Sequence, residues 1–267
     1  MGTLIGDELR NDNAAAFNGV DEYMERVLPS FLADTSGYLS LWMRFNTVLS
    51  GPGSLYKGVA MVGETGSTFV VMMGLRRATG LPNNIEVYVG SGANYRVYAA
   101  MTTTIAALTW YHVVLRYSGG AYSIWINGVA QTINNWFTQG SGAAPTWFSG
   151  VSGGASRRLM LGANNGAGTL RPSDCRIDEV LIGTEAITGT EVAWLYNGGA
   201  PRNPHRYPLG HTWYRMGDSR DNATTIYDRD RRLQGVFIAA RDVTERNLLD
   251  LALRETNLKL DSARQAA

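Results

Sequence analysis

The stretch WYHVVLRYSGGAYSIWINGV, residues 110–129, is two alternating runs joined by a pair of glycines. In the first run Tyr111, Val113, Leu115 and Tyr117 alternate with His112, Val114 and Arg116. In the second, Tyr122, Ile124 and Ile126 alternate with Ser123, Trp125 and Asn127. Successive side chains of a strand point to opposite faces, so the spacing sorts each run into two faces. Gly119 and Gly120 stand where the chain must reverse, and glycine reaches positive φ at little steric cost. The stretch therefore predicts a tight β-hairpin, with Asn127-Gly128 marking the next turn.

The same grammar extends in both directions, from about residue 15 to 183. Turn clusters lie at 50–54 (SGPGS), 90–93 (GSGA), 140–143 (GSGA), 149–154 (SGVSGG) and 164–168 (NNGAG), with β-branched and aromatic runs between them. Short strands at such spacings predict a sandwich or barrel. The pattern then breaks. In TEAITGTEVAWLYNGG, residues 184–199, Thr188 or Thr190 offers an N-cap, and Asn197-Gly198-Gly199 a stop. These are the ends of a short helix.

Bulk properties narrow the function classes. The chain has 267 residues, 45% hydrophobic and 18% charged, with a net charge of +1. That length suits one large all-β domain plus an appendage. Near-neutrality gives no field that would gather nucleic acid or an anionic membrane. Cys175 is the only cysteine, so no intrachain disulfide can form, and the reading expects a bacterial or viral source. No run of 18 apolar residues is present, and the N-terminal stretch lacks the pattern of a signal peptide, so neither a membrane span nor a leader is expected.

Four phrases in order, FNGVDEY at 17–23, YLSLWMRF at 38–45, the 110–129 hairpin, and RIDEVLIG with TGTEVAWLYNGG at 176–199, resemble the LamG-like jelly roll of the concanavalin A-like lectin/glucanase superfamily. The resemblance implies an all-β, jelly-roll antiparallel sandwich over 15–200, following an N-terminal arm at 1–14. It also implies the short helix near the end of the domain. Residues 201–228, which open on PRNPHRYP, read as an irregular linker arm. HTWYRMGDSRDNATTIYD, residues 211–228, is similar to stretches that follow the jelly roll in some phage-encoded relatives. Residues 229–267 differ again. GVFIAARDVTER at 235–246 resembles the end of a PAS sensor domain and its exit motif. A terminal helix is expected after it, carrying Leu249, Leu253 and Leu260 on roughly one face.

The superfamily includes glycan binders and glycan-cleaving enzymes. Cleavage needs an acid and a second carboxylate facing each other across the bond. The nearest pair, Asp178-Glu179, consists of neighbours on a strand, which should face opposite ways; a tether for a loop or terminal strand suits them better. No Cys/His cluster suggests a zinc hydrolase. The resemblance makes Ca2+ possible, with Asn18, Asp21, Asn164, Asn165, Asp174 and Asp178 as oxygen donors of no diagnostic spacing. The binding residues expected are Trp136, Phe137, Trp147, Asn134 and Asn135, in the loop-rich stretch NNWFTQGSGAAPTWF. Indoles present flat faces to sugar C–H bonds and amides bond hydroxyls, although such rings equally close a core or a protein contact.

The expectation is a non-catalytic virion protein, a capsid decoration or a tail or fibre component. Its expected partners are other virion proteins, copies of itself and a surface glycan. A carbohydrate-binding adhesion module, a truncated sensory input domain and an endoglycanase are the alternatives.

Overall fold

The computed structural model describes residues 14–27, 35–50, 55–63, 70–77, 82–91, 94–139, 147, 158–166, 169–202, 211–214, 223–227 and 233–238. The strands run β1 (Ala15–Asn18), β2 (Met24–Val27), β3 (Gly37–Phe45), β4 (Leu55–Gly63), β5 (Val70–Arg77), β6 (Asn84–Ser91), β7 (Asn94–Ala100), β8 (Trp110–Ser118) and β9 (Ala121–Ile126). They continue as β10 (Val129–Ala130), β11 (Ile133–Gln139), β12 (Arg158–Leu161), β13 (Ala163–Gly166), β14 (Thr169–Pro172) and β15 (Asp174–Gly183). After the helix α1 (Gly189–Tyr196) come β16 (His211–Tyr214), β17 (Ala223–Tyr227) and β18 (Leu233–Ile238).

Two antiparallel sheets face each other, as the alternation predicts. One follows the order β10-β9-β8-β3-β15-β16-β17-β18, with β1 also on β15; the other follows β11-β7-β6-β5-β4-β12-β2. β13 and β14 form a separate hairpin. The 110–129 stretch makes the turns read from it. Gly119 and Gly120 both have positive φ, 58° and 81°, and close β8 onto β9 with Ser118 opposite Ala121. Asn127 and Gly128, at 52° and 75°, close β9 onto β10 in the same way. Two consecutive left-handed residues match the twist of a two-residue hairpin.

The odd-numbered set of β8 enters the core, with Leu39, Leu41, Met43 and Phe45 of β3 and Ile124 and Ile126 of β9 beside it. Val71, Met73, Leu75, Ile85, Val87 and Val89 meet them from the other sheet. Each such large side chain contributes about 1.5–3 kcal/mol by leaving water. Trp147, expected as a sugar-stacking ring, belongs to this core instead and is only 1% exposed. Its ring lies parallel to Tyr117, with centroids 6.1 Å apart, and 6.3 Å from Tyr122. A large apolar ring gains more from a closed, close-packed seat than from water, and the two tyrosines provide that seat.

The outer face of the β3–β8–β9–β15 sheet is also covered. Helix α1 starts at Thr188, whose hydroxyl accepts from Glu191 N–H while Glu191 reaches back to the Thr188 N–H, a complete capping box. Its Val192 and Leu195, with Ile187, pack on Tyr38, Val114, Trp125 and Leu181. Tyr196 stacks over Trp42 and His112, at 5.9 and 6.3 Å. Beneath it His112 is buried and its Nε2 lies 2.8 Å from Ser40 Oγ. Burial pushes the His112 pKa down to about 3, so the ring is neutral.

Strand β15 carries a bulge. Its register against β3 shifts between Asp178 and Leu181, and Glu179 has a φ of 49°. A bulged residue breaks strict alternation, so the strand at Asp178 and Glu179 is not the regular one that the sequence reading assumed. Both are buried, and the Glu179 N–H donates to Asp178 Oδ1 at 2.8 Å. The bulge also divides one edge of β15. β1 pairs with Asp174–Ile177, and β16 pairs with Val180–Gly183. Residues 201–228, expected as an irregular arm, therefore include two strands, β16 and β17, that extend the sheet. An open strand edge leaves backbone donors and acceptors unpaired, and β16 satisfies the half that β1 does not reach. The expected terminal helix lies outside the described residues. Among the described residues, no helix is long and apolar enough to cross a membrane.

Candidate functional site

The seven-stranded sheet has a polar cluster on its outer face. Directly opposed residues of antiparallel strands share a face. The registers place Gly58, Gly74, Glu86, Ala99 and Asn134 in one row across five strands. Tyr56, Arg76 and Asn84 make the adjacent row. Glu86 is buried and accepts from Arg76 Nη1 at 3.0 Å, a pair in which Arg76 keeps partial exposure. The two glycines make room for what lies above them. A Cβ on Gly74 would come within 2.6 Å of the Tyr56 hydroxyl, and one on Gly58 within 2.6 Å of Asn164 Cγ.

The β13–β14 hairpin brings in the other half of the cluster. Asn164 and Arg171 oppose each other in its register. Asn164 Nδ2 donates to the Tyr56 hydroxyl at 2.9 Å, and Asn164 Oδ1 is buried with no hydrogen-bond partner among the described residues. The Arg171 guanidinium lies over the Tyr56 ring, 5.7 Å from its centroid. The hairpin is tied to β4 by Gly162 N–H donating to the Val59 carbonyl at 2.8 Å and by the Ser173 hydroxyl donating to the Gly58 carbonyl. Burial first, then the negative charge of Glu86, pushes the Tyr56 hydroxyl well above the ordinary tyrosine range. It thus stays protonated at neutral pH and can both donate and accept.

This assembly can hold a polyhydroxylated, flat-faced ligand. It offers a half-buried aromatic ring, the exposed Arg171 guanidinium and the partly exposed Arg76, supported from beneath by the buried Glu86, Asn84 and Asn164. Its described carboxylates do not make a pair that could flank one glycosidic bond. Among the described residues, the strands of this sheet carry two carboxylates, Glu86 and Glu25. Three strands separate them, β5, β4 and β12. At strand spacing that is roughly 19 Å, against about 5–9.5 Å for acids flanking one glycosidic bond. Glu25 also forms an ion pair with Arg158.

The residues expected from the sequence are dispersed. Asn134 is exposed on the edge strand β11, in the row of Glu86 and two strands from it. Asn135 and Phe137 stand opposite Tyr98 and Val97, with Trp136 at a register shift between them; the side chains of Asn135, Trp136 and Phe137 lie outside the described residues. Trp147 is in the core. The residues missed were Tyr56, Arg76, Glu86 and Arg171. The signal for Arg76 and Glu86 was charge in otherwise apolar strands, VVMMGLRR and NIEVYVGS.

The six candidate calcium donors fall in three places. Asn18 and Asp174 are register partners, and Asn18 Nδ2 donates to Asp21 Oδ1 at 2.9 Å. Their oxygens already receive protons: Asn18 Oδ1 accepts from the Val20 N–H at 2.9 Å, and Asp174 Oδ1 from Asn46 Nδ2 at 2.6 Å. Asn164 belongs to the tyrosine cluster, Asn165's side chain is outside the described residues, and Asp178 is buried at the bulge. No group of three or more His, Cys, Asp or Glu suited to a metal occurs among the described residues.

Comparison with known proteins agrees with the fold. The CBM40 of the Ruminococcus gnavus IT-sialidase, bound to α2,3-sialyllactose, superposes with a TM-score of 0.51 at 12% identity, over 69% of this chain and 96% of its own. A Bacteroides ovatus protein assigned to carbohydrate binding superposes with a TM-score of 0.50 at 20% identity, over 84% of this chain and 59% of its own. At these identities the likeness concerns the fold. A search of curated proteins finds none that matches the sequence. A family model described as the concanavalin A-like lectin/glucanases superfamily matches residues 27–193. That span is more than half of the chain and takes in both faces of the sandwich, so the chain belongs to the concanavalin A-like lectin/glucanases superfamily.

Proposed function

We propose that this chain is a non-catalytic, glycan-holding β-sandwich, serving as a capsid decoration or a tail or fibre component of a phage particle. The observation that carries the glycan reading is the convergence of Tyr56, Arg76, Glu86, Asn164 and Arg171 on one sheet face. The part of the Tyr56 ring that stays exposed gives the apolar face of a sugar a surface, and the exposed Arg171 and partly exposed Arg76 meet its hydroxyls, with Glu86 and Asn164 buried beneath as supports. The roughly 19 Å between the two carboxylates of that sheet supports binding without cleavage. The virion role rests on the similarity of residues 211–228 to phage-encoded relatives. In that role the C-terminal segment would contact neighbouring virion proteins and copies of the chain.

A glycan array probed with the purified protein, followed by reducing-sugar release on each glycan bound, tests the first part. Binding without release is expected. Release, or no binding to any glycan, contradicts it. For the second part, the protein should co-purify with phage particles at a fixed copy number; its absence from particles contradicts the virion assignment.

A further inference from the structure

Among the described residues, Arg171 is the one cation of the cluster that forms no ion pair. Arg76 is occupied by Glu86 at 3.0 Å. Arg171 is exposed on β14, and its contacts among the described residues are the face of Tyr56 and the electrostatic pull that it exerts on the Tyr56 hydroxyl. A guanidinium held by its face against an aromatic ring keeps its edge of N–H groups for a ligand. The cluster therefore carries two positive charges and one negative charge.

We propose that the site selects saccharides that carry a carboxylate, with Arg171 as the carboxylate-binding residue. This rests on the reading of this face as a glycan site. Three features favour a single carboxylate over neutral or multiply charged sugars. A guanidinium edge matches a carboxylate with two parallel hydrogen bonds. A lone surplus charge balances one negative group. Glu86, on β6 two strands from the β4 that carries Tyr56, repels a second anionic group that reaches across Tyr56, which disfavours polysulfated chains.

The test uses the full chain, a glycan array divided into neutral, uronic- or sialic-acid-bearing, and sulfated members, and calorimetry on the strongest acidic glycan and its methyl ester. Carboxylate-bearing glycans should dominate the array. Esterification should weaken wild-type binding about tenfold, and Arg171→Gln should weaken binding of the acid about tenfold more than it weakens binding of the ester. Dominance of neutral or sulfated glycans, or equal affinity for acid and ester, overturns the carboxylate assignment and leaves the glycan reading intact. Equal loss of acid and ester in Arg171→Gln shows a general packing role and overturns the assignment of Arg171. Absence of binding to every member overturns the underlying glycan reading and this inference with it. The ester comparison needs no variant, so a folding defect in Arg171→Gln cannot mask the outcome.

Discussion

His112 illustrates how one residue's surroundings set a measurable property. It is enclosed by Trp42, Tyr196 and Ser40, and its pKa falls to about 3 through burial. An exposed histidine in the unfolded chain titrates near 6.5. The unfolded state therefore binds the extra proton first, and this group's stabilisation is full above about pH 6.5 and lost progressively down to about pH 3. The expected slope is up to about 1.4 kcal/mol per pH unit in that window. Urea unfolding at several pH values should show it, and His112→Gln should flatten the curve between pH 6 and 4 relative to wild type. Trp147 makes the second case. Its ring is a core ring, so Trp147→Ala should destabilise by about 3–5 kcal/mol while leaving the glycan affinity of the folded protein unchanged. A selective loss of binding in a fully stable variant would restore it as a binding residue. The sequence shows the ring and its aromatic neighbours but not the side of the chain on which they meet, because Tyr117 and Tyr122 reach Trp147 from 30 and 25 residues away.

At the scale of elements, hairpins and caps were legible because their causes are local. Gly119-Gly120, Asn127-Gly128 and Thr188 with Glu191 are each decided by the residues that form them. The β15 bulge was not legible. Nothing in RIDEVLIG announces that Glu179 adopts a φ of 49°, since the shift depends on which strands share the edge of β15. The tyrosine cluster depends on elements in the same way. Gly74 lets Tyr56 lie across β5, and a Cβ there would also sit 2.3 Å from the Lys57 carbonyl oxygen. Gly74→Ala should cost about 1–3 kcal/mol, as overpacked sites do, and should displace the Tyr56 ring. Thermal melting reads the first effect, and weaker glycan binding in the still-folded variant reads the second.

For the whole molecule, the sandwich could be foreseen from alternation and turns, whereas its limits could not. Proline-rich sequence at 201–208 suggested that the domain ends at 200, but Tyr214 of β16 is buried in the core and pairs opposite Val180. A chain truncated after Ala200 should melt at lower temperature and associate at high concentration, because the Val180–Gly183 edge would lack its partner. Analytical ultracentrifugation of the truncated and full chains checks this. The site escaped the sequence for a related reason: its residues come from β4, β5, β6 and the β13–β14 hairpin, and only the packing of four segments unites them. The most direct test of the account is therefore a map of where a glycan touches. Amide chemical shifts followed by NMR during titration with the strongest array glycan should move around Tyr56, Gly74, Arg76, Glu86 and Arg171. Shifts confined to residues 134–148, or to the helix-covered face around Tyr196, would contradict it.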